Sequence, residues 1–322
     1  MATSKRRARI VRSSPIAPRL ARAQRADAPA MPPSVAWPIV KWVGGKTKLL
    51  PEILTRLPRT YGRYFEPFAG GAAVFFHLGP EAAVLSDRNP DLIGMYRAVA
   101  TDPDGVLRRL ALHQQAHAED HYYQTRARWN DRSVSWTALD RAATFIYLNR
   151  TCFNGLWRVN KGGGFNVPMG RYKNPSICDA DTVHRASAVL RRATLLCGDY
   201  QAAVADAGPG DLVYFDPPYD PVTTTANFTA YTGDGFGPAD QQALADTVRG
   251  LADRGCAVVL SNADTPRIRA MYKGLRIDRV KCPRAINSDP SRRGDVDEVL
   301  VLALAVVSSV AVLLAMVMQK RS

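Results

Sequence analysis

Residues 211–219 read Asp211-Leu-Val-Tyr-Phe-Asp216-Pro217-Pro218-Tyr219. An apolar, β-rich run ends in a carboxylate, two prolines and an aromatic ring. A strand ending this way places an acceptor and a ring at the carboxyl edge of a sheet, where open α/β folds bind their ligands. The two prolines fix the backbone and remove two N–H donors, which leaves their carbonyls as acceptors. Asp216 and a proline carbonyl suit an exocyclic amino group, and the flat ring of Tyr219 suits stacking on a base. The competing reading is a Pro-Pro turn with no chemistry.

Outward from this stretch, short apolar runs alternate with helical patterns. Strands are expected at 63–66, 83–86, 193–197, 211–215, 256–260, 275–280 and 296–302, and helices at 47–57, 71–78, 90–100, 238–252 and 265–272. That alternation predicts a mostly parallel sheet flanked by helices. Between 101 and 192 the character changes: helical patterns at about 103–115, 119–130 and 137–150 precede a Gly- and Asn-rich loop over 151–176. A loop that long inside a compact domain points to binding. The expected organisation is an α/β domain from 37–100 and 193–302, interrupted by a largely helical insert at 101–192, with no internal repeat.

Of 322 residues, 46% are hydrophobic and 22% charged, which excludes collagen-like, coiled-coil and wholly disordered chains. Lys plus Arg is 43 against 29 Asp plus Glu, a net charge of +14. That excess favours an anionic partner, nucleic acid first and an acidic membrane surface second. Half of it sits in residues 1–36, where eight cations face the single acid Asp27. This segment reads as a basic disordered arm. Its composition also resembles an organelle transit peptide, and Met31 is an alternative start.

The five cysteines, Cys152, Cys178, Cys197, Cys256 and Cys282, are scattered without CxxC or a Cys/His cluster. Neither a metal site nor a disulfide framework is expected. With no secretory signal visible, a reducing cytoplasm is the expected setting. Val299–Met318 is apolar apart from Ser308 and Ser309, long enough for a membrane span. Its first part, 296–302, reads better as a buried strand, and 303–322 is left as a tail of open role.

Two further stretches carry chemistry. Phe65-Glu66-Pro67-Phe68-Ala69-Gly70-Gly71-Ala72 follows a strand and precedes a helical run, so its glycines can let backbone approach a cofactor. Asp87 closes the next strand, a position that suits hydrogen bonds to ribose hydroxyls. A nicotinamide enzyme would show the same pair. Lys41-Trp42-Val43-Gly44-Gly45-Lys46-Thr47 ends like a phosphate loop, but the earlier glycine would have to stand at position 40, which is Val40. A nucleotide triphosphatase is therefore rejected.

Trp42…Gly44-Gly45-Lys46, Glu66-Pro67-Phe68-x-Gly70-Gly71, Asp87 and Asp216-Pro-Pro-Tyr219 occur in that order, and together the chain resembles the Dam-type DNA adenine-N6 methyltransferases over roughly 38–302. Tyr147–Tyr172 and Asn227–Phe236 support the likeness. The resemblance implies a Rossmann-like methyltransferase sheet with a mostly helical inserted target-recognition domain. It implies S-adenosyl-L-methionine as cofactor, held by Trp42, Lys46, Glu66, Phe68, Gly70, Asp87 and Asp216. Asp216, Pro217, Pro218 and Tyr219 would form the catalytic loop, with the target adenine flipped out of the duplex and methylated without a covalent enzyme intermediate. Arg158 would read a guanine edge, with Phe153, Asn154, Leu156 and Tyr172 helping with the other bases and Arg150 and Asn166 among the DNA-binding residues; the competing reading of Arg158 and Lys161 is simple phosphate contact. The implied substrate is double-stranded DNA containing GATC, the implied enzyme a metal-free monomer, with a restriction endonuclease encoded separately where one exists.

Ala72 departs from the family, which often has a third glycine there; an alanine fits if its φ is negative. Cys152 beside Phe153 and the apolar tail depart as well. Cytosine-C5 chemistry is rejected because no cysteine follows a proline. Cytosine-N4 or RNA-adenine methylation, a silent DNA-binding homologue, a nicotinamide-dependent oxidoreductase and a membrane-anchored protein remain the rival readings. The oxidoreductase leaves Asp-Pro-Pro-Tyr and the 151–176 loop without a purpose.

Overall fold

The computed structural model describes residues 35–220, 236–283 and 295–304. The expected basic arm up to 34, the Asn227–Tyr231 stretch and the tail from 305 onward lie outside the described residues.

A 3-10 turn (Lys46–Lys48) and α1 (Leu50–Leu54) lead into β1 (Tyr64–Glu66), α2 (Ala73–Leu78), β2 (Ala83–Asp87) and α3 (Pro90–Thr101). The helices α4 (Pro103–Gln115), α5 (Glu119–Asn130), α6 (Ala138–Thr151) and α7 (Ala180–Leu190) follow. Then come β3 (Ala193–Cys197), α8 (Tyr200–Ala203), β4 (Leu212–Phe215), α9 (Pro238–Asp253), β5 (Ala257–Ala263), α10 (Pro266–Met271), β6 (Arg276–Pro283) and β7 (Asp295–Ala303). The starts follow local chemistry. Asn89 accepts from the amides of Asp91 and Leu92 with Pro90 opening α3, and Thr265 accepts from the Ile268 amide with Pro266 opening α10; both are the expected side-chain caps with proline at the first turn.

All seven expected strands pair in one sheet of order β3-β2-β1-β4-β5-β7-β6. β1 through β5 are mutually parallel where they pair, and β7 runs antiparallel between β5 and β6. This is a Rossmann-like methyltransferase sheet with flanking helices. Successive strand residues feed opposite layers. Tyr64, Leu212, Tyr214, Val259 and Leu300 pack with α2 to α7, whereas Phe65, Val213, Phe215, Val258 and Val299 pack with α8 to α10. Burial on both faces is why these strands read as continuous apolar runs rather than as alternating ones. The order reverses between β1 and β4, so the crevice outside their carboxyl ends lies where Glu66 ends β1 and Asp216 follows β4.

The structure corrects four expectations. The single helix over 47–57 is a 3-10 turn followed by the short α1, because Pro51 lacks an amide to donate and belongs in a first turn. α7 is a distinct helix before β3 that the pattern reading left unmarked. The 151–176 stretch is not an open loop: antiparallel bridges join Cys152 with Met169 and Val159 with Phe165. Ala72 does not have a negative φ. It sits at φ 50 and ψ 43, the left-handed region, where a Cβ costs about 1–2 kcal/mol. The helices of 101–192 bind the sheet layer closely: Arg141 of α6 pairs with Asp91 of α3 at 2.7 Å, and Arg191 Nε donates to the Ala100 carbonyl at 2.9 Å.

Candidate active site

The site begins with two turns. The Gly45 amide donates to the Trp42 carbonyl at 3.0 Å, with Gly44 at φ 79, and this tight turn aims Lys46 inward. Lys46 is only 6% exposed and donates to the Gly44 carbonyl at 2.6 Å. The second turn follows β1. Gly70 at φ 47 lies flat beneath the Trp42 indole, so close that a Cβ there would stand 2.7 Å from Trp42 Cδ1. Asp87 ties this turn to β2: its Oδ2 accepts the Gly70 amide at 3.0 Å and its Oδ1 the Asn89 amide at 2.9 Å. Burial pushes the Asp87 carboxyl up, against these two amides. Tyr96 completes the turn by donating to the Gly70 carbonyl at 2.7 Å.

Glu66 lies under the site. It is 2% exposed, and its Oε2 accepts from the Tyr64 hydroxyl at 2.8 Å and the Phe75 amide at 3.1 Å. Burial pushes its carboxyl up to about 8, with the Tyr64 hydrogen bond and Lys46 opposing and Asp216 reinforcing. Phe68 stacks on Tyr200 at 5.2 Å and meets Phe236 edge-on at 5.8 Å, walling the other side of the glycine turn.

At the end of β4, Asp216 Oδ1 forms a 2.7 Å ion pair with Lys46 and accepts from Ser261 Oγ at 3.1 Å. Ser261 in turn takes a hydrogen bond from the Tyr214 hydroxyl at 3.1 Å. No described residue donates to Oδ2. Burial raises the Asp216 pKa, and Lys46 counters it. The Tyr219 ring lies 4.7 Å from Lys46 Nζ, and its hydroxyl donates to Glu298 Oε2 of β7 at 2.7 Å. The Pro218 carbonyl accepts from Gln241 Nε2 at 2.8 Å; no described residue donates to Pro217. Asp220, buried next to Tyr219, is held by Thr265 at 2.9 Å and Arg267 at 2.8 Å.

The stretch after α6 forms a ribbon. The Asn166 amide donates to the Arg158 carbonyl and the Asn160 amide to the Gly164 carbonyl. Asn160 Oδ1 caps the tip by accepting the Gly162 and Gly164 amides. Side chains alternate as a strand requires. Trp157 and Phe165 point in, stacked at 4.5 Å and packed on Phe145 and Trp129. Arg158 points out and donates Nε to Asn166 Oδ1 at 2.9 Å. Phe153 is 48% exposed, Asn154 is exposed in the left-handed region at φ 54, and Leu156 is half-buried behind them. Tyr172 lies against Gly170 and carries Lys41 Nζ 4.1 Å above its ring. Arg150 instead turns toward the start of the domain, donating to the Ile39 carbonyl at 2.6 Å and the Pro38 carbonyl at 3.4 Å. Asn149 makes the matching link, exchanging two 2.8 Å hydrogen bonds with the Lys41 backbone. The ribbon and the Trp42–Lys46 turn are thereby one packed assembly.

Trp42, Gly70 and Asp87 thus converge at one turn, and Lys46, Asp216 and Tyr219 at the next strand end. Sequence reasoning missed Lys41, Gln241, Ser261, Asn262, Thr265, Arg267 and Glu298. The visible signal for three of them was Ser261-Asn262 interrupting an apolar strand and Gln241 on the apolar face of α9.

A carboxylate, two prolines and a tyrosine at the switch point of a methyltransferase sheet define a class of amine-methylating enzymes. The D12 class N6 adenine-specific DNA methyltransferase profile matches residues 42–286. The type II methyltransferase M1.LlaDCHI of Lactococcus lactis subsp. cremoris is 40% identical over 267 residues, covering 82% of this chain and 94% of that protein. The type II methyltransferase M.MjaIII of Methanocaldococcus jannaschii is 38% identical over 275 residues, covering 80% and 95%. The DNA adenine methylase of Escherichia coli strain K12 is 38% identical over 266 residues, covering 82% and 94%. The chain belongs to the D12 class N6 adenine-specific DNA methyltransferases and is an adenine-specific DNA methyltransferase. Among the described residues no group of three or more His, Cys, Asp or Glu is placed to hold a metal ion, and no helix is long and apolar enough to cross a membrane.

Proposed function

We propose that this enzyme transfers methyl groups from S-adenosyl-L-methionine to adenine N6 in duplex DNA, at GATC, on a base flipped out of the helix. The observation that carries the reading is the pair of acceptors beside Tyr219. Lys46 and Ser261 occupy Asp216 Oδ1, which leaves Oδ2 and the Pro217 carbonyl to receive the two protons of one amine. Held this way, the nitrogen is drawn out of conjugation with the purine and its lone pair is fixed in direction. Tyr219, anchored by Glu298, offers its face to the extruded ring.

The cofactor fits the donor set. Gly70 carries its turn directly under the Trp42 indole, where a Cβ would stand 2.7 Å from Cδ1, and Asp87 presents a carboxylate at the next strand end for a ribose. When bound, S-adenosyl-L-methionine would supply an electrophilic methyl on a cationic sulfur, the N–C bond forming as the S–C bond breaks, with the sulfur leaving as a neutral thioether and the amine giving one proton to Asp216 or water. Asp216 and Lys46 set the local charge, and Trp42 and Phe68 wall the site against water.

Flipping costs a few kcal/mol, offset by stacking and by phosphate contacts of a basic protein. We assign Arg158 to a guanine edge, since Asn166 fixes its Nε and no described residue bonds its terminal nitrogens. Phe153, Asn154, Leu156 and Tyr172 line the same ribbon. In this reading 37–100 and 193–302 form the catalytic domain, 101–192 the target-recognition insert, and the enzyme acts as a monomer in the cytoplasm. The type II names of two relatives favour a restriction–modification setting with a separately encoded endonuclease.

Tritiated methyl transfer to duplexes differing only in GATC versus GTTC tests the assignment. Label on the GATC duplex alone is the expected result. Equal label on both keeps adenine methylation and removes the GATC assignment.

A further inference from the structure

We infer that Gln241 and Asn262 are positioning residues that act as a buried relay, occupying the Pro218 carbonyl so that the Pro217 carbonyl and Asp216 alone face the target amine. The inference rests on the function proposed above and concerns how that site is kept in register.

Both amides are buried, Gln241 at 1% and Asn262 at 0% exposure. Their orientations are forced. Asn262 Oδ1 accepts the Asp220 amide at 3.1 Å and the Ala263 amide at 2.8 Å, and an N–H end could accept neither. Asn262 Nδ2 therefore faces Gln241 Oε1, at 3.1 Å. That leaves Gln241 Nε2 as the end directed at the Pro218 carbonyl, 2.8 Å away. A chain of four hydrogen bonds thus reads the direction of one amide group and delivers it to one carbonyl of the catalytic loop.

The loop needs such a device because Pro217 and Pro218 present two adjacent carbonyls and no amide. Neither can satisfy the other, and both are acceptors of the kind an amine would seek. Capping Pro218 from α9 removes one of them, while the Asp220 amide, pinned by Asn262, fixes the far end of the turn. An in-line transfer demands that the nitrogen be held by two acceptors at set positions, so a loop free to offer Pro218 would hold it out of line.

Two variants test the relay. Gln241→Met keeps the length and removes the donor. Gln241→Glu restores a donor only when protonated, since an ionised carboxylate faces the Pro218 carbonyl with no hydrogen. Each is measured for thermal melting, cofactor KM, DNA KM and kcat from pH 6 to 9, with the wild-type enzyme alongside on the same adenine-containing duplex. The relay predicts a Gln241→Met enzyme with unchanged KM values and kcat at least tenfold lower at every pH. It predicts a Gln241→Glu enzyme whose kcat, relative to wild type, falls as pH rises. A Gln241→Met kcat within twofold of wild type, or a Gln241→Glu profile parallel to wild type, overturns the relay. Failure of both variants to fold overturns it too, in favour of a purely structural role. Absence of transfer by the wild-type enzyme would instead overturn the function on which the relay rests.

Discussion

Lys46 and Asp216 meet in a 2.7 Å ion pair at the end of β4, with the lysine almost wholly shielded from water. The two residues lie 170 positions apart in the chain (216 minus 46), one in the turn after Trp42 and one at the end of the central strand. Burial raises the Asp216 pKa and the ammonium restrains it.

Removing that ammonium therefore has a predicted sign. An opposite charge at this distance lowers a carboxyl by about 1–3 pKa units. In Lys46→Met the Asp216 carboxyl rises further, and the acid limb of the kcat–pH profile moves to higher pH by about one unit or more. A limb that stays in place shows that Lys46 does not set the charge of Asp216.

Arg158 and Asn166 give a second prediction, on selectivity. A bidentate arginine–guanine contact is worth about 1–3 kcal/mol. Arg158→Ala should lose roughly tenfold or more in kcat/KM on the matched duplex and lose little further when the guanine is replaced. A uniform loss on all duplexes, with discrimination intact, identifies a phosphate contact instead. Asn166→Ala should weaken selectivity in the same direction by freeing the guanidinium.

Glu66 makes stability depend on pH. Its folded pKa, about 8 against an ordinary 4.5, means that the folded state holds the proton more tightly than the unfolded chain. Its contribution is fully present below about 4.5 and is lost as pH rises toward 8, at up to about 1.4 kcal/mol per unit. Glu66→Gln should therefore gain stability relative to wild type as pH increases across that window, measured by urea unfolding. A difference that is constant with pH contradicts the assignment.

His113 acts in the opposite direction. Burial and the neighbouring His121, whose Nε2 lies 3.0 Å away, push it down to about 4. Thr144 contacts its other nitrogen, Tyr147 stacks on it at 4.5 Å, and Arg128 and Asp140 act on its charge from α5 and α6. The folded pKa lies below the unfolded value of 6.5, so stability is present above 6.5 and is lost as pH falls toward 4. His113→Gln should lose less stability than wild type between pH 7 and 5; an equal loss places the acid-sensitive group elsewhere.

Much of this was legible in residue order. The inner strands β1, β4 and β5 were legible as apolar runs because burial on both faces leaves little room for polar interruption. Asp216 to Tyr219, the Gly70 turn and Asp87 were legible because each lies at a strand end, where local sequence and site coincide. The roles of Glu298, Gln241 and Asn262 were not, because each acts on a partner distant in sequence that only the packing of α9, β5 and β7 against the loop after β4 brings near. The ribbon was hidden by Gly162-Gly163-Gly164, which reads as loop although Trp157 and Phe165 alternate with Arg158 and Asn166. Ala72 misled because sequence carries no sign of φ: its neighbours demanded the left-handed region, and the chain tolerates the strain.

The most direct test is single-turnover methyl transfer by Asp216→Ala, with folding and cofactor binding measured in parallel. The account predicts a folded, cofactor-binding protein whose transfer to adenine falls below about a tenth of the wild-type rate, as loss of a principal charge-positioning group should cause. Retention of more than that rate would contradict the assignment of Asp216 as the acceptor that holds the target amine.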